Sequence, residues 1–205
     1  MLIGLIGHYC AGKNYVAKIL ENKGFPVIDV DKLGHETIEI RKNDIVERFG
    51  TSILREDGNI DRRFLGAKVF GNIEELTALE KIVHPEAEQL LLTWIQNQKG
   101  KPCIINAALL HKTSIFMQLD FILLVKAPII MRFLRAKKRD KLSWKELFKR
   151  FYSQKRFHYQ YSQKKVDIYN IYNRGCLNLF GQNLEQQIDK IFSSKGLVKN
   201  SFKDF

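Results

Sequence analysis

The sequence predicts an α/β fold: a parallel sheet flanked by helices, carrying an inserted helical lobe and a helical basic lid. Three observations predict it. Short apolar runs rich in β-branched residues alternate with stretches of helical periodicity, a glycine-rich turn joins the first such run to the first helix, and the basic residues concentrate in one late segment.

The first apolar run, Met1-Leu2-Ile3-Gly4-Leu5-Ile6, reads as a buried strand and leads into Gly7-His8-Tyr9-Cys10-Ala11-Gly12-Lys13-Asn14. That octet fits the phosphate-loop pattern G-x-x-x-x-G-K-[ST] at every defined position except the last, where Asn14 replaces the hydroxyl residue. Glycines at both ends let backbone N–H groups turn toward phosphate oxygens, the following helix aims its positive end at them, and the lysine reaches the terminal phosphates. A strand before the loop and a helix after it are what this mechanism requires, the alternative being an ordinary glycine-rich strand-to-helix turn. The helix follows, with Val16, Ile19 and Leu20 on one face and Gly24 beyond its end.

Residues 25–31, Phe25-Pro26-Val27-Ile28-Asp29-Val30-Asp31, read as a second buried strand ending in two aspartates on the same side of the pleat. In an open parallel sheet ligands gather at the carboxyl ends of the strands, which places Asp29 and Asp31 beside the phosphate loop, although either could instead cap the next helix. Residues 32–98 are mostly helical, with Leu76, Leu79 and Val83 in one stripe up to Pro85 and a new stripe of Ala87, Leu90, Leu91, Trp94 and Ile95 after it. This is too much helix for a simple crossover, so it reads as an inserted lobe. Cys103-Ile104-Ile105-Asn106 and Phe121-Ile122-Leu123-Leu124-Val125 have the length and branching of buried parallel strands. Helical spacing resumes over 129–138, and Ser143 with Glu146 forms a capping box opening a helix with Leu147, Phe148 and Phe151 inward and Arg150 and Gln154 on one face. Residues 168–173 read as a last strand, and Leu184, Ile188, Ile191 and Phe192 as the inward face of a last helix.

Composition bounds what this fold can be. A chain of 205 residues, 45% hydrophobic, suffices for one domain, 1–205, divided into a core of about 1–31, 99–130 and 166–196, a helical lobe of about 32–98 and a lid of about 131–165. Cys10, Cys103 and Cys176 are few and widely spaced, which favours a reducing, cytoplasmic setting over a disulfide framework. The histidines and cysteines never fall at zinc-like spacings, and no apolar run reaches the length of a membrane span. The net charge of +12 is localised: residues 130–165 hold thirteen Lys and Arg against Asp140 and Glu146, a net +11. Lysines there can be a solvated face, but planar guanidinium forks suit phosphates.

These residues together resemble the dephospho-CoA kinase family. The resemblance covers about residues 1–175 and rests on the loop Gly7 to Asn14, on Asp29-Val30-Asp31 followed by His35, on Arg62-Arg63-Phe64-Leu65-Gly66 with Val69-Phe70, on Leu79 to Pro85 as the family's helical HP segment, on Leu109-Leu110 as part of its P-L-L-F-E turn, and on Arg135, Arg139, Arg150 and Gln154 as its lid. It implies a P-loop kinase-like fold and phosphorylation of the ribose 3′-hydroxyl of dephospho-CoA by ATP with Mg2+. It also implies that Lys13, Asp31 and Arg139 are catalytic: Lys13 on the phosphates, Asp31 accepting the hydroxyl proton, Arg139 on the charge of the transition state. Gly7, His8, Tyr9, Cys10, Ala11, Gly12, Lys13, Asn14 and Arg135 would bind ATP, while Asp29, His35, Arg62 and His84 would serve the acceptor. Asn14 directly, and Asp29 through water, are the candidate metal contacts.

The sequence departs from the family at Asn14 for Ser or Thr, Ala108 for Pro, His111 for Phe, Lys112 for Glu and Val166 for Ala, with one residue too many between Asp167 and Asn173. Several of these positions bear on the phosphate and metal region. Two alternatives stay open. One is another P-loop small-metabolite or nucleoside kinase; the other is a nucleotide- or nucleic-acid-binding protein without kinase activity, because residues 144–165 interleave Phe148, Phe151, Tyr152, Phe157, Tyr159 and Tyr161 with basic residues. The lid reading is preferred to the nucleic-acid one because the apolar members recur at helical spacing behind a capping box, which argues burial.

Overall fold

The computed structural model describes residues 1–140, 142–153, 166–174 and 177–197. Gln154 and the basic and aromatic residues from 155 to 165, assigned above to the lid, lie outside the described residues, as do Lys141 and Cys176. The strands are β1 (Leu2–Gly7), β2 (Val27–Asp29), β3 (Cys103–Asn106), β4 (Phe121–Lys126) and β5 (Asp167–Tyr172). The helices are α1 (Lys13–Asn22), α2 (Val30–Ile40), α3 (Lys42–Phe49), α4 (Arg62–Val69), α5 (Ile73–Asn97), α6 (Ile129–Asp140), α7 (Trp144–Ser153) and α8 (Leu177–Ser194). The chain forms two compact units, one from Met1–Ile28 with Gly100–Phe205 and the other from Asp29–Lys99.

The first unit is built on a sheet of order β2-β3-β1-β4-β5, with parallel ladders between β1 and β3, β1 and β4, and β4 and β5. β1 is central because its residues are apolar in continuous sequence: Ile3, Leu5 and Ile6 are all fully buried, as a strand covered on both faces demands. One face packs on Val16, Ile19 and Leu20 of α1 and on Leu184, Ile188 and Phe192 of α8. Truncating one of these side chains to alanine would cost about 2–5 kcal/mol. Gly4 interrupts the branched run for a steric reason, since a Cβ there would lie 2.6 Å from Leu110 Cδ2. The chain leaves β1 toward β2 and β3 on one side and later fills β4 and β5 on the other. The carboxyl end of β1 is therefore the switch point of the sheet, where open α/β sheets bind ligands.

The second unit is helical. Ile45, Phe49, Ile53, Ile60, Leu65, Val69 and Val83 form its core, with Leu76, Leu79 and Ile82 packed against them. Helices α2, α4 and α5 start on short polar side chains that capture otherwise unpaired amides: Asp29 Oδ1 accepts from Asp31 N at 3.1 Å, Asp61 Oδ1 from Arg63 N at 2.8 Å, and Asn72 Oδ1 from Glu74 N at 3.1 Å. The first of these caps corrects the expected strand over 25–31. β2 ends at Asp29 and Asp31 already stands in the first turn of α2, so the two aspartates are not paired on one face of a pleat. Pro85 does not divide the lobe either, because α5 runs through it from Ile73 to Asn97. Proline removes one N–H and disturbs one turn, but Val83 on one side and Leu91 on the other are both buried, and their packing outweighs the loss.

Candidate active site

The phosphate-loop octet spans the end of β1 and the start of α1. Gly12 has φ +98°, a left-handed conformation that a side chain would strain, and its carbonyl accepts from Tyr15 N and Val16 N to launch the helix. α1 has no side-chain cap and no acidic residue in its first turn, so its positive end keeps its favourable field for an anion. Lys13 is the first residue of that helix and Asn14 the second. Cys10 also has a positive φ, 58°, which for a non-glycine residue is a strained turn fixed by its surroundings.

Asn14 is exposed, and its Oδ1 accepts from Asn106 Nδ2 at 3.4 Å, Asn106 being buried at the end of β3. This amide pair stands where the family pattern has a hydroxyl. Among the described residues no three of His, Cys, Asp and Glu gather as a metal-holding group. The Asn14 amide oxygen is a neutral hard donor, a type that fits a cation carried on a nucleotide's phosphates.

Behind the loop stand α6 and α7. Cys10, Ala136 and Leu147 form a small buried cluster against which Tyr9, Phe133, Leu142 and Phe151 pack. The capping box is present, with Ser143 N donating to Glu146 Oε2 at 2.9 Å and Glu146 N to Ser143 Oγ at 3.3 Å. Phe148, expected inward, is instead 63% exposed, and Tyr152 is 69% exposed. Helical spacing puts Leu147 and Phe151 on the packed face, and Phe148 lies one residue off it, touching Phe133 ring to ring at 5.4 Å between centroids.

Four basic side chains of this region meet the loop. Arg132 is buried, donates from Nε to the Tyr9 carbonyl at 2.8 Å and lies over the Phe151 ring; burial pulls its guanidinium pKa down. Arg135 donates from Nη1 to the carbonyls of Cys10 and Ala11 at 3.4 and 3.3 Å, and from Nη2 to Asn173 Oδ1 at 3.1 Å. Arg139 holds Asp140 through Nε at 2.6 Å and Nη2 at 3.1 Å and lies over the Tyr9 ring, while Arg150 approaches Asp140 at 3.7 Å. The Tyr9 hydroxyl donates to Asp140 Oδ2. Hydrogen bonding from Arg139 holds the Asp140 carboxyl below its ordinary pKa, burial and the Asp140 bond push the Tyr9 phenol up, and burial pushes the Cys10 thiol up. Cys10 is thus no activated nucleophile.

The acceptor candidates all lie in the helical unit. Asp29 caps α2, Asp31 and His35 are exposed on α2, Arg62 is exposed at the first position of α4, and His84 is exposed on α5. Arg132 and Asn173 were not singled out as site residues by sequence reasoning. Arg132 could have been found as the residue one turn before Arg135, but burial is not visible in a basic run. Asn173 was visible as the last residue of a strand and as the end of the segment compared with the family's, with no role attached to it.

A parallel sheet with a glycine-lysine loop at the carboxyl end of its central strand, opening an uncapped helix, defines a P-loop kinase. The dephospho-CoA kinase family model matches residues 1–173, and the chain belongs to that family. It is 34% identical to the dephospho-CoA kinase of Treponema pallidum over 96% of each chain. Its fold is similar to a crystal structure from Thermus thermophilus, with 28% identity, 95% of this chain and 97% of that one covered, and a TM-score of 0.78. It is likewise similar to the dephospho-CoA kinase from Campylobacter jejuni, with 25% identity, 93% and 96% covered, and a TM-score of 0.64. Among the described residues no helix is long and apolar enough to cross a membrane.

Proposed function

We propose that this chain transfers the γ-phosphoryl group of ATP to the ribose 3′-hydroxyl of dephospho-CoA, giving CoA. The observation that carries the reading is the loop of a family member with its lysine kept: Gly12 turned to φ +98° and Lys13 opening a helix without a side-chain cap. Phosphoryl transfer asks a protein for positioning and charge neutralisation more than for covalent chemistry. Lys13 and the backbone from Gly7 to Asn14 hold the ATP phosphates, and Arg135 supports that backbone from behind. Arg139 exchanges the Asp140 carboxylate for the charge that spreads over the transferring group. Asp31 accepts the hydroxyl proton, Asp29 orients the start of its helix, and His35, Arg62 and His84 in the lobe serve the acceptor. Mg2+ would enter on ATP and neutralise phosphate charge, and Asn14, together with Asp29 through water, would be its protein contacts. A cytoplasmic setting suits the buried free thiols of Cys10 and Cys103.

Purified protein with ATP, Mg2+ and dephospho-CoA is expected to yield CoA. ATP turnover found only with acceptors lacking the adenosine ribose would overturn the substrate assignment. The exposed rings of Phe148 and Tyr152 beside Lys145 and Lys149 favour one second reading, contact with single-stranded nucleic acid. A labelled oligonucleotide titrated at several salt concentrations tests it, tight binding with a steep salt slope being the outcome in its favour.

A further inference from the structure

The carbonyl oxygens of Tyr9, Cys10 and Ala11 are each engaged by a side chain from outside the loop. Arg132 Nε reaches the first at 2.8 Å, Arg135 Nη1 the second and third at 3.4 and 3.3 Å, and Asn173 Nδ2 the third again at 2.8 Å. A peptide unit is planar and its C=O and N–H point in opposite directions. Drawing the Tyr9 carbonyl toward Arg132 therefore turns the Cys10 N–H the other way, and drawing the Ala11 carbonyl toward Asn173 does the same to the Gly12 N–H. The Ala11 N–H is fixed within the loop on the His8 carbonyl at 2.9 Å. Unheld, these carbonyls could swing toward the phosphates, where a partial negative charge repels the ligand.

Asn173 is itself firmly placed. It is 5% exposed, its backbone N donates to the Lys126 carbonyl at 2.7 Å, and its Oδ1 accepts from Arg135. A Cβ on Gly12 would lie 2.3 Å from Asn173 Nδ2, so the second loop glycine is needed for this contact as well as for its φ. Arg132 is 9% exposed. Burying a guanidinium and an amide is costly unless their donors are used, and both spend donors on loop carbonyls.

We infer that Arg132 and Asn173 are positioning residues for ATP, holding the carbonyls of Tyr9 and Ala11 outward so that the loop presents amides to the phosphates. Neither needs to touch the nucleotide. The inference rests on the ATP-loop reading above.

The test is calorimetric titration of the full chain, wild type, Asn173→Ala and Arg132→Lys, with ATP and separately with dephospho-CoA, thermal midpoints being recorded alongside. Arg132→Lys keeps the charge and much of the stem but loses the Nε donor. Each substitution is expected to weaken ATP by about 10- to 100-fold, the range of one or two hydrogen bonds near charge, and to leave dephospho-CoA within about twofold. In turnover the KM for ATP should rise far more than kcat falls. ATP affinity unchanged in either folded variant, or ATP and dephospho-CoA weakened together, overturns the inference. Should Asn173→Ala not fold, Arg132→Lys decides alone. No ATP binding by the wild type would instead overturn the ATP-loop reading itself.

Discussion

Asp31 stands exposed in the first turn of α2, on a backbone whose entry is fixed by the Asp29 cap, so it is carried by a rigid element. Asp31→Asn keeps size and hydrogen bonding but cannot take up a proton. The rate is expected to fall by roughly 10² to 10⁴, with acceptor affinity little changed. Near-normal turnover would reduce Asp31 to a member of the helix start. Asn14 poses a different question, because its side-chain oxygen already accepts from Asn106. A serine hydroxyl at the same place is shorter and offers a compact ligand to an ion that tolerates little departure from octahedral geometry. Asn14→Ser should shift half-saturation to lower Mg2+ and raise turnover. Lower activity would show the Asn14–Asn106 pair to be an adapted part of the site. The lysine and glycines of the loop were legible in the sequence, since their spacing carries the mechanism. The Asn14–Asn106 contact was not, because it joins residues brought together only when β3 forms beside β1.

At the scale of elements, α6 and α7 dock on the phosphate loop through Arg132 and Arg135 on its carbonyls, a second polar set centred on Asp140 and an apolar set centred on Leu147. The capping box announced α7 correctly. The inward face was misread at Phe148 because three apolar residues in five do not say which two share the packed side. Asp140 occupies Arg139 with a carboxylate, so on the role proposed for Arg139 the phosphate charge brought by ATP would have to replace that partner. Asp140→Asn is expected to raise ATP affinity several-fold by removing the competitor, measured by titration at pH 7. Unchanged or weaker ATP binding would argue that Asp140 aims Arg139 instead of withholding it. The same contact has a defined pH dependence. The Asp140 pKa is lowered in the folded chain, chiefly by Arg139, so its stabilisation is complete above the ordinary carboxylate pKa of about 3.9 and disappears as pH falls through the lower folded value. Thermal midpoints of wild type and Asp140→Asn should therefore differ at pH 6 and begin to converge only below about pH 4, the gap closing as pH passes the lower folded value. A gap that stays constant down to pH 3 would mean that the carboxylate charge contributes nothing there.

For the molecule as a whole, the alternation of strands and helices was readable because buried parallel strands are continuous apolar runs, whereas the order β2-β3-β1-β4-β5 was not, local sequence containing no record of which later strand returns beside the first. The long helical insertion was readable from its length alone. Its separateness has a consequence that can be measured. Residues 29–99 have their own core around Ile45, Phe49, Leu65 and Val83, and the sheet unit has another around Ile3, Leu5, Leu123 and Ile188. A ligand stabilises the structure it contacts by mass action, about 2.7 kcal/mol at a hundredfold excess over Kd, and local opening is suppressed first in the unit that binds. Hydrogen exchange with ATP alone should accordingly slow in β1, α1 and α6, and exchange with dephospho-CoA alone should slow in α2, α4 and α5. Protection by dephospho-CoA confined to the sheet unit would take the acceptor site away from the helical lobe, and with it the roles given to His35, Arg62 and His84.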